Sequence, residues 1–241
     1  MSVKPYKEEK ASKKQQVANM FNNIAGKYDF LNHFLSMGID KSWRKNAINY
    51  LKDIKSPHVL DVATGTGDLA IMAHKRLGAK VTGVDISVEM LKVAEKKIKE
   101  MGLEKEISVA EGDSENLPFD DNTFDAVTVA FGVRNYENLH KGLKEMARVL
   151  KPGGKMVILE FSRPASFPFK QLYFFYFKKM LPFFGGMISK DKAAYEYLPE
   201  SVLNFPDGEA FDEELKKAGM KPVKREKQTF GIATIYVAEK Q

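Results

Sequence analysis

Between residues 59 and 161, short apolar runs alternate with amphipathic segments, and this alternation leaves few folds open. Residues 59–63, 80–85, 107–111, 124–131 and 155–161 read as buried strands. Helices fill the gaps: one from Asp68 to about Leu77, one capped by Ser87 and closed by Gly102, and one lined by Leu139, Leu143, Met146 and Leu150 before Pro152-Gly153-Gly154. Strands separated by helices of this length must be parallel, with helices on both faces of the sheet. The chain then ends in two polar-apolar strands, 222–229 and 232–239, joined tightly at Phe230-Gly231. So short a connection permits only an antiparallel hairpin. The expectation is a seven-stranded, mostly parallel α/β sheet with an antiparallel end.

Flanking segments complete the organisation. Val17, Met20, Phe21, Ile24, Tyr28 and Leu31 recur at helical spacing within 12–51, interrupted by Gly26 and Gly38, so two or three N-terminal helices are expected. Residues 1–51 read as an arm and capping helices, and 52–241 as the main domain, with an aromatic helical insertion at 163–205. The lysine-rich stretch 4–14 reads as a solvated, partly disordered arm. No apolar run reaches the roughly 18–20 residues that span a bilayer. The start is polar and has no secretory pattern. Absence of cysteine removes disulfides, thiolate metal sites and cysteine nucleophiles, and suits a cytoplasmic location. The net charge of +6 allows anionic surfaces as neighbours.

The loop after the first strand, His58-Val-Leu-Asp-Val-Ala-Thr-Gly-Thr-Gly-Asp68, decides the ligand. Gly65-Thr66-Gly67 with Asp85 about 20 residues on satisfies a loose dinucleotide fingerprint. Asp61, however, would stand beside any pyrophosphate, and two like charges about 4 Å apart cost about 4 kcal/mol at an effective dielectric near 20. A cationic ligand reverses that sign. S-Adenosylmethionine carries a sulfonium and an ammonium and has no phosphate. Asp85 can accept ribose hydroxyls, and Asp113, beside the backbone N–H of Ser114, can read the amino edge of adenine. Acids at three successive strand ends, together with the terminal hairpin, point to a Rossmann-like S-adenosylmethionine-dependent methyltransferase with no metal. No nucleic-acid substrate is expected, because two absences weigh against one. Carbon-5 pyrimidine methylation needs a cysteine, and Ala130-Phe-Gly-Val-Arg134 replaces the Asp/Asn-Pro-Pro-aromatic run of amino-methylating enzymes.

Longer motifs extend this reading. Arg148-Val-Leu-Lys-Pro-Gly-Gly-Lys-Met-Val-Ile-Leu-Glu-Phe-Ser162 and Tyr28-Asp-Phe-Leu-Asn-His-Phe-Leu-Ser-Met-Gly-Ile-Asp-Lys-Ser-Trp43 resemble the two signatures of the ubiquinone/menaquinone biosynthesis C-methyltransferase family. Glu115-Asn-Leu-Pro-Phe119, Ala130-Phe-Gly-Val-Arg-Asn135 and Tyr195-Glu-Tyr-Leu-Pro-Glu-Ser-Val-Leu-Asn-Phe-Pro206 are also in its style. The resemblance implies cofactor contacts at Thr66, Asp85, Asp113 and Ser114. Two positions depart from the pattern: Asp40 stands where histidine is usual, and Ala130 where some members have serine.

The resemblance also implies the substrate, a polyprenylated quinol methylated on a ring carbon. The leaning is toward 2-demethylmenaquinol. A methoxybenzoquinol of the ubiquinone pathway, a small-molecule O-methylation and a non-catalytic cofactor scaffold remain alternatives. A phenolic hydroxyl titrates near 10, so a base or cation must help ionise it. Arg134 and Asn135, just past the fourth strand, are the expected hydroxyl contacts. His33 is the candidate base, with a packing histidine as its other reading. The aromatic insertion is the candidate acceptor of the prenyl tail, as a lid or as a peripheral contact with the membrane surface. A homodimer is kept as one expectation for the assembly.

Overall fold

A computed structural model describes residues 3–7, 9–175 and 192–241. Among them a seven-stranded sheet runs in the order β3-β2-β1-β4-β5-β7-β6. Its strands are β1 (His58–Val62), β2 (Lys80–Asp85), β3 (Ile107–Glu111), β4 (Phe124–Ala130), β5 (Leu150–Phe161), β6 (Met220–Gln228) and β7 (Ala233–Lys240). The pairs among β1–β5 are parallel, and β7 lies antiparallel between β5 and β6. Strand order reverses between β1 and β4, so the ligand crevice of an open sheet belongs at their carboxyl ends.

Pleating assigns the two faces. Leu60 and Val62 join the layer formed with α5 (Leu139–Val149) and α8 (Glu209–Lys217), where Leu143, Met146, Phe211 and Leu215 are buried. Val59, Val81, Ala126 and Val157 face α2 (Ile39–Asn49) and α3 (Asp68–Leu77), packing on Trp43, Ile48, Leu69 and Ala73. Both edge strands carry exposed charge, such as Glu111 on β3 and Lys224 and Arg225 on β6, which discourages edge-to-edge pairing.

Three details differ from the sequence reading. Helix α1 (Lys13–Leu35) runs unbroken through Gly26. One glycine costs a helix about 1 kcal/mol, which the burial of Met20, Ile24 and Ala25 around it outweighs. Gly38 does break the chain, with φ of 74°. Leu150, expected to close a helix, starts β5 opposite Phe124, and Pro152-Gly153 becomes an irregular part of that strand. The arm is also not free. Gln16, fully buried, accepts from the Tyr6 amide at 2.9 Å and donates to the Glu9 and Ala11 carbonyls, tying Tyr6, Glu9 and Ala11 to α1.

Helix α1 lies across α4 (Val88–Glu100), where its Asn22 Oδ1 accepts from Ser87 Oγ and the Glu89 amide. On its other side it meets α7 (Lys192–Asn204): Val17, Met20 and Ile24 share one buried cluster with Met90, Ala194 and Tyr197. The expected insertion contributes α6 (Phe169–Phe175) and α7 to the described residues. The rest of its aromatic run, 176–188, lies outside them. Among the described residues no helix is long and apolar enough to cross a membrane.

Candidate active site

The loop from Ala63 to Gly67 turns at the carboxyl end of β1 through three left-handed residues, Ala63, Gly65 and Gly67, with φ of 53°, 57° and 80°. Its Thr64 amide donates to the Val84 carbonyl, fastening the loop to β2. Asp61 lies beneath this loop and not on its rim. One of its oxygens accepts from Thr64 Oγ1 at 2.6 Å and the other from Thr128 Oγ1 at 2.7 Å. Burial pushes its carboxyl up to about 6 against both hydroxyl bonds and the charge of Arg44. Thr66 and Gly67 also stand back from the crevice. Thr66 donates to Asp29 on α1, and Gly67 packs against Ala94 as α3 begins.

Gly65, Asp85, Asp113 and Ser114 come together in the crevice. Asp85 holds the site's two sides in register, accepting from the Gly65 and Ser87 amides at 2.8 Å each. Burial pushes its pKa up, opposed by those amide bonds. Asp113 accepts from the Glu115 amide and from Lys14 Nζ at 2.6 Å. The described walls hold four carboxylates, Asp85, Asp113, Glu115 and Glu137, against a single cation, Lys14. Such a cleft repels a pyrophosphate and attracts a cation.

The opposite wall is the turn after β4. Phe131 is left-handed, with φ of 60°, a strained conformation for a bulky residue beside a ligand cleft. A Cβ on Gly132 would meet Ala63 Cβ at 2.7 Å, so only glycine lets the β1 and β4 ends approach this closely. Val133–Asn135 forms a tight 3-10 turn that sends its last two side chains different ways. Asn135 lines the acidic cleft, with Nδ2 given to the Phe131 carbonyl and Oδ1 buried without a partner. That orphan acceptor, with Asp85 and Asp113, fits a nucleoside bearing an ammonium.

Arg134 instead lines a second chamber walled by Met20, Ile24, Phe161 and Tyr197. The two cavities share Phe21, Tyr28 and Phe131 as partition. Arg134 Nη1 donates to Glu160 Oε1 at 2.8 Å and to the Phe131 carbonyl. The guanidinium lies 5.4 Å from the centre of the Phe161 ring. Its Nε is buried without a partner. Glu160 is fully buried, which pushes its carboxyl up although Arg134 pulls it down. Glu160 and Tyr197 lie within the longer motifs, and the sequence alone assigns neither a role. The signal for Glu160 was an acid closing the apolar run Met-Val-Ile-Leu, the same signal that marked Asp61.

His33 is not brought to either cavity. Its Nδ1 lies 2.9 Å from Asp40 and its Nε2 3.4 Å from Asp68, which clamps the end of α1 to α2 and α3. Asp40, at the position that departs from the motif, also pairs with Arg44 and accepts from Ser36 Oγ, and these bonds pull its carboxyl down against burial. Tyr28, in contrast, stands in the partition itself.

Comparison with known proteins gives the family and the fold. The sequence profile of the ubiE/COQ5 methyltransferase family matches residues 9–240. Demethylmenaquinone methyltransferase of Bacteroides fragilis is 49% identical over 239 residues, covering 99% of this chain and 97% of that protein. Ubiquinone/menaquinone biosynthesis C-methyltransferase UbiE of Geotalea daltonii is 46% identical over 95% of this chain and 97% of its own. A solved S-adenosylmethionine-dependent methyltransferase from Thermotoga maritima superposes with a TM-score of 0.65 at 20% identity, covering 93% of this chain and 99% of that one. The last likeness shows a shared fold.

Proposed function

Because this chain belongs to the ubiE/COQ5 methyltransferase family, we propose that it methylates a ring carbon of 2-demethylmenaquinol, with S-adenosylmethionine as donor, to give menaquinol. One observation carries the reading: an acid-walled cleft and an aromatic chamber share the partition of Phe21, Tyr28 and Phe131, and a buried arginine stands in the chamber.

Asp85, Asp113 and the Asn135 carbonyl are the acceptors that would hold the donor, and the Gly65 turn gives it backbone access. S-Adenosylmethionine, when bound, supplies a methyl group already activated by its sulfonium leaving group. The protein's own work is then to orient the acceptor ring and ionise it. Arg134, held through Nη1 by Glu160, keeps Nε free for a ring oxygen. A cation within about 4–6 Å lowers a phenolic pKa by about 1–3 units, which makes the carbon ortho to that oxygen nucleophilic near neutral pH. Phe21, Phe131 and Phe161 supply flat apolar walls that keep water out. Alignment to about 3–3.5 Å accounts for the rest of the rate.

A benzoquinol substrate is the second reading, favoured by the ubiquinone in the name of the Geotalea relative. Parallel assays with reduced demethylmenaquinone and a demethylated methoxybenzoquinol decide between them by kcat/KM. Higher values for the naphthoquinol support the proposal, and turnover of the benzoquinol alone overturns it. Methyl found on oxygen would make the enzyme an O-methyltransferase. Tight cofactor binding without turnover of any quinol would leave only a scaffold.

The prenyl tail requires access to lipid, and we place the enzyme at the cytoplasmic membrane surface as a peripheral protein. Phe167, Phe175 and Phe230 are exposed at 80%, 60% and 64%, and Phe169 stacks on Phe230 with centroids 3.8 Å apart. Lys170 and Lys227 stand in the same segments. Aromatics with interleaved lysines suit an anionic interface. Vesicle flotation of the parent against Phe167→Ser/Phe230→Ser tests this, with loss of binding expected and unchanged binding contradicting it.

A further inference from the structure

Among the described residues, two that wall the aromatic chamber each carry a buried polar atom with no hydrogen-bond partner, and they come from different elements. Arg134 Nε belongs to the turn after β4, and the Tyr197 hydroxyl to α7. Tyr197 is 3% exposed, and its ring packs in the cluster that joins α1 and α7. The remaining chamber walls, Met20, Ile24, Phe161 and Leu198 among them, offer the hydroxyl no partner. A phenol kept dry and unbonded destabilises a fold unless a ligand completes it. Its environment is also charged: burial chiefly holds the phenol protonated, Arg134 opposes this, and Glu160 adds a smaller push in the direction of burial. A neutral hydroxyl that both donates and accepts therefore shares an apolar chamber with a fixed N–H donor.

We infer that the Tyr197 hydroxyl binds the second oxygen of a para-dihydroxylated aromatic ring whose first oxygen is bound by Arg134. This rests on the quinol reading and adds a binding residue to it. The two contacts divide the work. Arg134 stabilises the oxygen that becomes anionic. Tyr197 fixes the opposite hydroxyl, which prevents the ring from rotating in its own plane and presents one ortho carbon to the partition. Aromatic walls stack on a flat ring but do not by themselves fix its rotation in the plane.

The test is anaerobic calorimetry of 1,4-dihydroxynaphthalene and of 1-naphthol on the parent and on Tyr197→Phe, which keeps the ring and removes only the hydroxyl. The inference predicts that the parent prefers the dihydroxy ring about tenfold, and that the variant binds both rings equally. S-Adenosylhomocysteine affinity should be unchanged, and the melting temperature should equal or exceed the parent's. With short-tailed demethylmenaquinol, KM of the variant should rise about tenfold. Equal binding of both rings by the parent, or equal loss for both in the variant, overturns the role. Failure of the parent to turn over any quinol, with the dihydroxy preference intact, overturns the functional reading but not this site. A variant indistinguishable from an active parent overturns Tyr197 alone.

Discussion

Arg134 Nη1, from a residue that lines the aromatic chamber, lies 2.8 Å from Glu160 Oε1, with side-chain exposures of 7% and 0%. Glu160 also accepts from the Arg134 and Phe161 amides, so the carboxylate fixes both the guanidinium and the turn that bears it. Glu160→Gln keeps one acceptor oxygen for Arg134 Nη1 and the Phe161 amide, gives up the bond from the Arg134 amide and removes the counter-charge. Breaking a buried pair at one partner costs about 3–5 kcal/mol, and the two bonds kept at the remaining oxygen place this variant near the lower figure. The unbalanced guanidinium then favours an ionised quinol more strongly. The expected outcome is a lower denaturation midpoint, with the acid limb of kcat moved to lower pH. A limb moved upward would show that Arg134 does not act on the hydroxyl.

The buried Asp61 carboxyl makes stability depend on pH. Its folded pKa of about 6 stands above the unfolded value near 3.9, so the native state retains a proton that the unfolded chain releases between these values. The group's contribution is therefore fully present below about pH 4 and is lost as pH rises through 6, on the order of 3 kcal/mol. Asp61→Asn removes the titration while still bonding Thr64 and Thr128. Urea melts should coincide for parent and variant at pH 4, with the variant more stable at pH 7.5. Curves that stay parallel across that range would refute the assignment.

Lys14 bonds Asp113 at 2.6 Å, where the adenine edge is expected, and both side chains are about 30% exposed. A pair this exposed contributes at most about 1 kcal/mol. Lys14→Met frees the acid and removes the cleft's single described cation. Calorimetry should show S-adenosylmethionine bound up to about fivefold more tightly. Weaker binding would make Lys14 a ligand.

Gly132 supports the point where the β1 and β4 ends meet. A methyl there would overlap Ala63 Cβ, and overpacking of this kind costs about 1–3 kcal/mol. Gly132→Ala should lower the melting midpoint and also weaken cofactor binding, because Ala63 and Gly132 both wall the cleft. Stability lost with binding intact would mean that the strain relaxes away from the site.

The fold was readable because its signals are local. Apolar runs ending in Asp61, Asp85 and Glu160, a glycine loop and a hairpin at Phe230-Gly231 each declare themselves within about ten residues. The site was readable only in part, since its deciding contacts join distant segments. Asp61 and Thr128 are 67 residues apart, and no local pattern reports that their bond hides the carboxylate under the loop. Arg134 and Asn135 are neighbours in sequence, but the tight turn assigns one to the chamber and the other to the cleft. His33 sits on the right helix with its ring turned to Asp40 and Asp68. Tyr197 reaches the chamber only because α1 and α7 pack together.

The most direct test of the account is the fate of the methyl group. The parent protein is incubated with methyl-deuterated S-adenosylmethionine and reduced, short-tailed demethylmenaquinone, and the product is read by NMR and mass spectrometry. The account predicts a deuterated methyl on the ring carbon ortho to a hydroxyl, with both ring oxygens unmethylated. A deuterated methoxy product, or no product while S-adenosylhomocysteine binds tightly, would contradict it.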